Sequence, residues 1–366
     1  MSIAAVIWTV IAGLLLLGLV LPKVPGSALA GLAVSVYSFN LYLLVPALAG
    51  AGLCLWAWRQ GQVGWLVVLS VLTILLIAGV AVPTWRLSES ARRHGVALSL
   101  PGYFAGPGAG TTQPSTTETY AVTDGTKLEV DIWRPAKPNG AAMIYVFGGG
   151  WVSGERNQMP AYFRWLTAQG LTVFTVDYRL ATDGDPVWEK APDDVRRALR
   201  WVRDNAARHG IDPDRIVLSG NSAGGNLASL VAYGGDTPVR AVIQFYAPTD
   251  LAAAHRDTDS STARGMLESY LGGTPGTVPA RYERNSPITY VRPGLPPTLI
   301  LHGERDSVVP AGQATDLAAR LTTAGVPTVL LMLPASEHSF DALFGGFANQ
   351  IARPVISDFL ATHVTN

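Results

Sequence analysis

The chain has 366 residues with 27 basic and 27 acidic side chains, so its formal net charge is zero, and only 15% of its residues are charged. With no basic cluster, that balance excludes a protein that holds nucleic acid by charge. A single cysteine, Cys54, excludes an intramolecular disulfide. The length admits one large domain or two modest ones.

The low charge is local. Before Arg86 only Lys23 and Arg59 are charged, and no acidic residue occurs until Glu89. Residues 3–21 and 63–82 are uncharged apolar runs. Each is long enough to cross about 30 Å of hydrocarbon at about 1.5 Å per residue. A third uncharged stretch lies between Lys23 and Arg59, helical over residues 37–58, with Pro46 as an expected kink. Trp56, Trp58, Trp65 and Trp85 fall near the ends of these runs, as interfacial aromatics should. A secretory signal and a buried soluble helical domain are the competing readings. However, the first run lacks a basic start, and two more apolar runs follow it. Residues 1–86 are therefore expected to form about three transmembrane helices in contact with the lipid bilayer. With the rest of the chain cytoplasmic, Lys23, Arg86, Arg92 and Arg93 lie inside and Arg59 alone lies outside. The positive-inside rule thus predicts a multi-pass protein of the cell membrane with a cytoplasmic catalytic part.

Residues 87–118 read as a linker or partial cap, because 95–118 ("GVALSLPGYFAGPGAGTTQPSTTE") are rich in Gly, Pro, Ser and Thr. Residues 119–366 then alternate. "KLEVDIW" has a strand-like period of two, and 143–147, 172–176, 216–219, 241–245, 298–302 and 328–333 read as buried strands. Helical patterns fall between them. In "APDDVRRALRWVRDNAARHG", Val195, Leu199, Val202 and Ala206 share a face, Asp193 and Asp194 read as a helix start, and Gly210 stands past the end. Strand–helix alternation predicts a mostly parallel sheet flanked by helices.

The chemistry starts from "IVLSGNSAGGNLASLVAY", which sets Gly220-Asn221-Ser222-Ala223-Gly224 between a strand and a helix. Small residues on both sides of a serine allow the sharp strand–turn–helix of a nucleophile elbow. A serine hydroxyl needs a base. Of six histidines, His94 and His363 lie in flanking segments, His209 ends a surface helix, His255 follows a loop, and His302 reads as a packed strand-end residue. His338, between the last strand and the last helix, is the expected base. The base needs a carboxylate to fix its tautomer. Asp306 is the natural candidate. Glu304 is the rival, read as paired at the surface, and Asp341 is expected to face solvent. In "AAMIYVFGGGWVSGE" an apolar strand runs into Gly148, Gly149 and Gly150. Acyl transfer builds negative charge on a carbonyl oxygen, and backbone donors aimed at it stabilise the transition state. Gly149 and Gly150, with Ala223 N–H, are the expected oxyanion hole.

From about Tyr120 onward, "GGGWVSGE", "VDYRLA", "APDDVRRALRWV", "GNSAGGNLA", "PPTLILHGERDSVVP" and "EHSF" follow one another in an order that resembles the α/β-hydrolase esterases of the hormone-sensitive-lipase-like group and their feruloyl-esterase-like relatives. The resemblance implies an α/β-hydrolase fold and a serine carboxylesterase or lipase. One position departs from it: Phe147 stands where those enzymes usually carry histidine, and it is expected to pack beneath the loop or against the acyl pocket. Asp177-Tyr178-Arg179 are expected to brace that loop. The substrate is expected to be an amphiphilic or small acyl ester, with no cofactor, no metal and no nucleic acid. An acyltransferase using the same triad, or a silent membrane scaffold, are the alternatives.

Overall fold

In the computed structural model, which describes residues 3–20, 39–104, 113–235 and 237–365, the chain after residue 113 builds one eight-stranded sheet. Its strands are β1 (Thr116–Thr123), β2 (Thr126–Trp133), β3 (Ala142–Val146), β4 (Thr172–Val176), β5 (Ile216–Asn221), β6 (Ala241–Phe245), β7 (Thr298–Gly303) and β8 (Thr328–Leu333). The spatial order is β1-β2-β4-β3-β5-β6-β7-β8. β1 and β2 join antiparallel, and everything from β4 to β8 is parallel. The central strands β3, β4, β5 and β6 are buried throughout, which is why they read as continuous apolar runs. β1 escaped the sequence reading. As an edge strand it buries only Tyr120, and its Thr-rich start resembles a linker.

Helices cover the sheet: α5 (Pro160–Ala168), α6 (Lys190–Asp204), α7 (Ala223–Gly234), α8 (Leu251–Asp257), α9 (Ser261–Leu271), α10 (Gly312–Thr323) and α11 (Phe347–Leu360) follow α1 to α4 of the N-terminal part. In α6, Val195, Leu199 and Val202 are buried, as their spacing predicts. Of the two aspartates, Asp193 stands in the first turn as expected and Asp194 does not act as a start signal. The helix begins earlier, at Lys190, and Asp194 is fully buried as the partner of Arg179 rather than a cap.

The N-terminal part contains α1 (Ile3–Val20), α2 (Leu44–Arg59), α3 (Val63–Arg93) and α4 (Leu100–Phe104). The expected three spans become two. Among the described residues, Asn40–Arg59 and Val63–Arg93 are long and apolar enough to cross a membrane by length and composition. The first apolar helix, whose side chains are described over Ile3–Leu17, is not among these candidates and packs on the other two. Trp8 donates from Nε1 to Pro46 O at 2.8 Å, and its ring lies with Thr73 against Gly50, where a Cβ would leave no room. Lys23 and residues 21–38 lie outside the described residues. Pro46 falls in the first turn of α2, where N–H groups have no helical partner, and its missing N–H costs little there. α3 outruns the apolar stretch and continues through Pro83 to Arg93.

That extension docks on the sheet domain. Arg86 pairs with Glu304 at 2.9 Å, so Glu304 is a surface-paired carboxylate, but its partner comes from α3. Asn40 donates to Thr84 Oγ1 at 3.1 Å and accepts from Tyr103 Oη at 3.2 Å. Tyr103 is buried and meets Phe347 edge to face, with centroids 5.0 Å apart. Gln350 completes the seam, accepting from Ser99 N at 2.7 Å and donating to Ser99 O at 2.9 Å. Tyr103→Ala should therefore destabilise the protein by roughly 3 kcal/mol. Glu304→Gln, which breaks a half-exposed pair, should cost less than about 1 kcal/mol. Denaturant titration of the detergent-solubilised chain measures both.

Candidate active site

The functional side chains sit where strands end. Ser222 follows β5, Asp306 follows β7 and His338 follows β8, so the parallel register delivers all three to one sheet edge. Ser222 adopts φ 51°, ψ −123° between β5 and α7, and its N–H is tied to Phe245 O at 2.9 Å. The flanking glycines are steric necessities. A Cβ on Gly224 would lie 2.1 Å from Val146 O, and one on Gly220 would lie 2.5 Å from the Gly224 backbone. Among the described residues, five of the six non-glycine residues with positive φ, Trp151, Ser222, Tyr246, Ala335 and Ser339, lie in loops at this edge. Such strain persists only where its surroundings hold it.

Ser222 Oγ lies 3.1 Å from His338 Nε2, and His338 Nδ1 lies 2.8 Å from Asp306 Oδ2. The tautomer follows: Nδ1–H donates to the carboxylate, which leaves Nε2 to accept the serine proton. Asp306 accepts further from Val308 N at 2.9 Å and Val309 N at 2.7 Å, and the His302 Nε2–H, whose shorter hydrogen bond goes to Val309 O at 2.9 Å, also reaches its Oδ2 at 3.2 Å. Burial alone would raise the Asp306 pKa, but the charge of His338 and the two imidazole hydrogen bonds hold it well below the usual carboxylate range. For His338, burial acts downward, yet the Asp306 charge and hydrogen bond leave its pKa above the ordinary histidine value. Glu337 accepts from Ser307 N and Oγ at 3.0 Å each, joining the acid loop to the histidine loop.

The glycine loop lies across the elbow. Gly148 donates to Asn221 Oδ1 at 2.7 Å, so its own N–H is committed to the elbow. Gly149 takes φ +135°, and a Cβ there would lie 2.0 Å from Ser153 O. Phe147 buries its ring beneath the loop. It stacks on Tyr178 at 4.4 Å, and Tyr178 Oη donates to Phe147 O at 3.0 Å. Arg156 ties the far side of the loop to Glu129, Asp131 and Asp177 at 2.8–3.0 Å. Asp177, through Arg156, and Tyr178 thus brace the loop, whereas Arg179 turns away from it to pair with Asp194 and Asp124.

Three features were not legible in advance. Asp341, expected at the surface, is buried and accepts from Tyr246 Oη at 2.5 Å. Tyr246 accepts in turn from Asn221 Nδ2 at 3.2 Å, so a buried chain runs Asp341–Tyr246–Asn221–Gly148 behind the nucleophile. Burial raises the Asp341 pKa. Trp151 stacks flat on Tyr270 at 4.4 Å, tying the glycine loop to the insertion that carries α8 and α9. That insertion covers a cavity of about 450 Å³, with Ala254, Ala263, Met266 and Leu267 facing Ser222 and His338. Among the described residues of 95–118 none lines the cavity, and residues 105–112 lie outside the described residues. Among the other histidines, His302 is fully buried, His209 is buried rather than at a surface, and His255 lies in α8, paired with Glu268. No cluster among the described residues could hold a metal ion.

Comparison with known proteins places the chain among esterases. The BD-FAE family matches residues 130–321, just over half of the chain. Esterase LipQ of Mycobacterium tuberculosis is 33% identical over 301 residues, covering 76% of this chain and 69% of LipQ. Esterase LipC of the same organism is 32% identical over 62% of this chain, which spans 60% of the length of LipC. Ethyl acetate hydrolase of Pseudomonas putida is 33% identical over 59% of this chain and 72% of its own. The thermophilic esterase Est2 of Thermogutta terrifontis superposes with a TM-score of 0.57 at 28% identity, covering 69% of this chain and 93% of Est2. The same esterase phosphonylated by sarin superposes with a TM-score of 0.60 at 26% identity, covering 72% of this chain and 98% of that one.

Three outcomes are expected. A base must be deprotonated to act, so the acidic limb of kcat/KM should lie above the ordinary histidine value of about 6.5. In Asp306→Asn the residual activity should carry that limb at lower pH. Asn221→Leu leaves Gly148 N and Tyr246 Oη without their partner. It should reduce kcat by roughly 10- to 100-fold with little change in KM. Phe147→His should remain active, because the loop's donors are backbone N–H groups. Steady-state kinetics across pH checks all three.

Proposed function

This chain belongs to the BD-FAE family of α/β-hydrolase esterases, and from that premise we propose that it is a membrane-anchored serine carboxylesterase working through an acyl-enzyme on Ser222. The observation that carries the reading is the continuous relay Ser222 Oγ–His338 Nε2 (3.1 Å) and His338 Nδ1–Asp306 (2.8 Å). His338 takes the serine proton as Oγ attacks the ester carbonyl. The oxyanion forms against the N–H groups of Gly149, Gly150 and Ala223. His338 then returns the proton to the leaving alcohol. Water, activated by the same imidazole, releases the acid and regenerates Ser222. The cavity supports an uncharged ester: its described lining contains one carboxylate, Asp341, and neither lysine nor arginine.

The anchoring half of the reading rests on α2 and α3. They form a hairpin whose turn carries Arg59, while Arg86, Arg92 and Arg93 lie at the hydrolase end. This distribution favours a cytoplasmic hydrolase domain.

Ser222→Ala should abolish labelling by a fluorophosphonate and lower ester turnover by roughly 10⁴-fold or more while the protein stays folded. Asp306→Asn should lose about 10⁴-fold. Full labelling of Ser222→Ala would reject the nucleophile. The chain should stay with membranes through carbonate extraction, and the hydrolase domain should be cut by protease only after sealed, right-side-out vesicles are opened.

A further inference from the structure

The N-terminal helices do not meet the hydrolase domain at an arbitrary place. Arg86 reaches Glu304, two residues before Asp306 in the chain. Leu87 and Asn40 face Ser336, Glu337, Phe340 and Phe347, the segment that carries His338. Tyr103 packs on Phe347, and Ser99 is bound by Gln350. Every one of these contacts is made at the sheet edge where the strands end, beside the candidate site. From that seam α3 runs away from the domain with its apolar side chains uncovered: Val63, Val67, Val71, Ile74, Ile77 and Val82 are all exposed. Residues 63–82 rise about 30 Å, one hydrocarbon thickness.

A ring of aromatic and apolar side chains surrounds the seam. Trp85 is 63% exposed, Leu100 59%, Phe104 57% and Tyr42 47%. Tyr42 and Phe104 meet edge to face at 5.7 Å, and Phe39 meets Tyr42 at 6.0 Å, so the exposed rings are held in place. Arg92 and Arg93 stand exposed at the end of α3, beyond the apolar side chains. Aromatics at the level where apolar helices end, followed by cations, suit the headgroup region of a phospholipid bilayer.

We propose that the catalytic edge of the hydrolase domain rests on the phospholipid bilayer, seated by the collar of Phe39, Tyr42, Trp85, Leu100 and Phe104. The domain is then held face-on, with its nucleophile edge toward the lipid and the opposite strand ends toward water. This deepens the function proposed above and rests on its membrane-anchored reading. An ester dissolved in the bilayer meets the domain on the side that holds Ser222, whereas a simple tether would leave that side free to turn away.

The test uses the full chain in phosphatidylcholine vesicles, with Cys54→Ser as background and one new cysteine carrying an environment-sensitive fluorophore. One label replaces Phe104 (Phe104→Cys). The other replaces Asp212 (Asp212→Cys), exposed ahead of β5 at the opposite sheet edge. Doxyl-labelled phosphatidylcholine should quench the first several-fold more than the second, with a blue-shifted emission at the first alone. Equal quenching, or stronger quenching at residue 212, would overturn the proposal. In a second arm, Leu100→Ser with Phe104→Ser should lower turnover of a long-chain ester dissolved in vesicles several-fold and leave p-nitrophenyl acetate hydrolysis unchanged. No loss on the vesicle substrate would also overturn it. The label readout needs no turnover, so a chain that stays in the membrane without hydrolysing esters rejects the enzyme reading and still tests the surface. Carbonate-extractable protein would overturn both.

Discussion

A carboxylate removed from water has to be neutralised where it sits. Asp306 imposes that demand on its own loop, on the histidine loop and on the end of β7. It accepts from the His338 imidazole and two backbone amides, and the His302 N–H is shared between it and Val309 O, so His338, His302 and the turn at Val308–Val309 are all positioned by one negative charge. Removing one donor would leave the charge partly unpaired, which ties the geometry of the histidine loop to that of the acid loop. Glu337 adds a second tie between the same loops through Ser307. The alignment of His338 with Ser222 is a consequence of these constraints, because the β5 elbow fixes the serine independently.

The glycine loop needs a different kind of support, since glycines supply no side chains to hold themselves. Phe147 cannot donate a hydrogen bond from its ring. Its stacking on Tyr178 contributes area, and the tyrosine hydroxyl holds the Phe147 carbonyl. On the other side Asn221 holds the Gly148 N–H, and Tyr246 and Asp341 hold Asn221. The loop is thus clamped from both sides by neighbours in the fold. A histidine at position 147 is one way to support such a loop, and this chain has another.

What could be read from the sequence was what depends on local pattern. Strand β4 matches its apolar run residue for residue, and the elbow was visible because small residues flank Ser222 on both sides of a strand–helix junction. His338 and Asp306 were legible through their place after strands, which a parallel sheet converts into nearness. Asp341 was not. Nothing near it in sequence announces that Tyr246, 95 residues away, will cover it. The same reason hid the insertion over the cavity: α8 and α9 are short helices whose apolar faces meet the site only in three dimensions. The third membrane span was over-read because apolarity alone does not separate a helix that crosses lipid from one that packs on its neighbours, as Trp8 does against Pro46 and Gly50.

The segment between β8 and α11 serves two masters. It holds His338 against Asp306, and through Phe340, Phe347 and Gln350 it receives α3 and α4. Protein interiors respond to displacement as packed solids, so a shift of the N-terminal helices cannot be absorbed wholly at the seam. Glu337 is the residue through which it would travel: it borders Leu87 and Asn40 on one side and fastens Ser307, the neighbour of Asp306, on the other. Burial raises its pKa, and only one of its carboxylate oxygens finds a partner. That oxygen is held by Ser307 N and Oγ and faces His338 N, so the side chain is fixed between the two loops. The apolar helices therefore belong to the structure that holds the triad, and they are more than a leash attached to it.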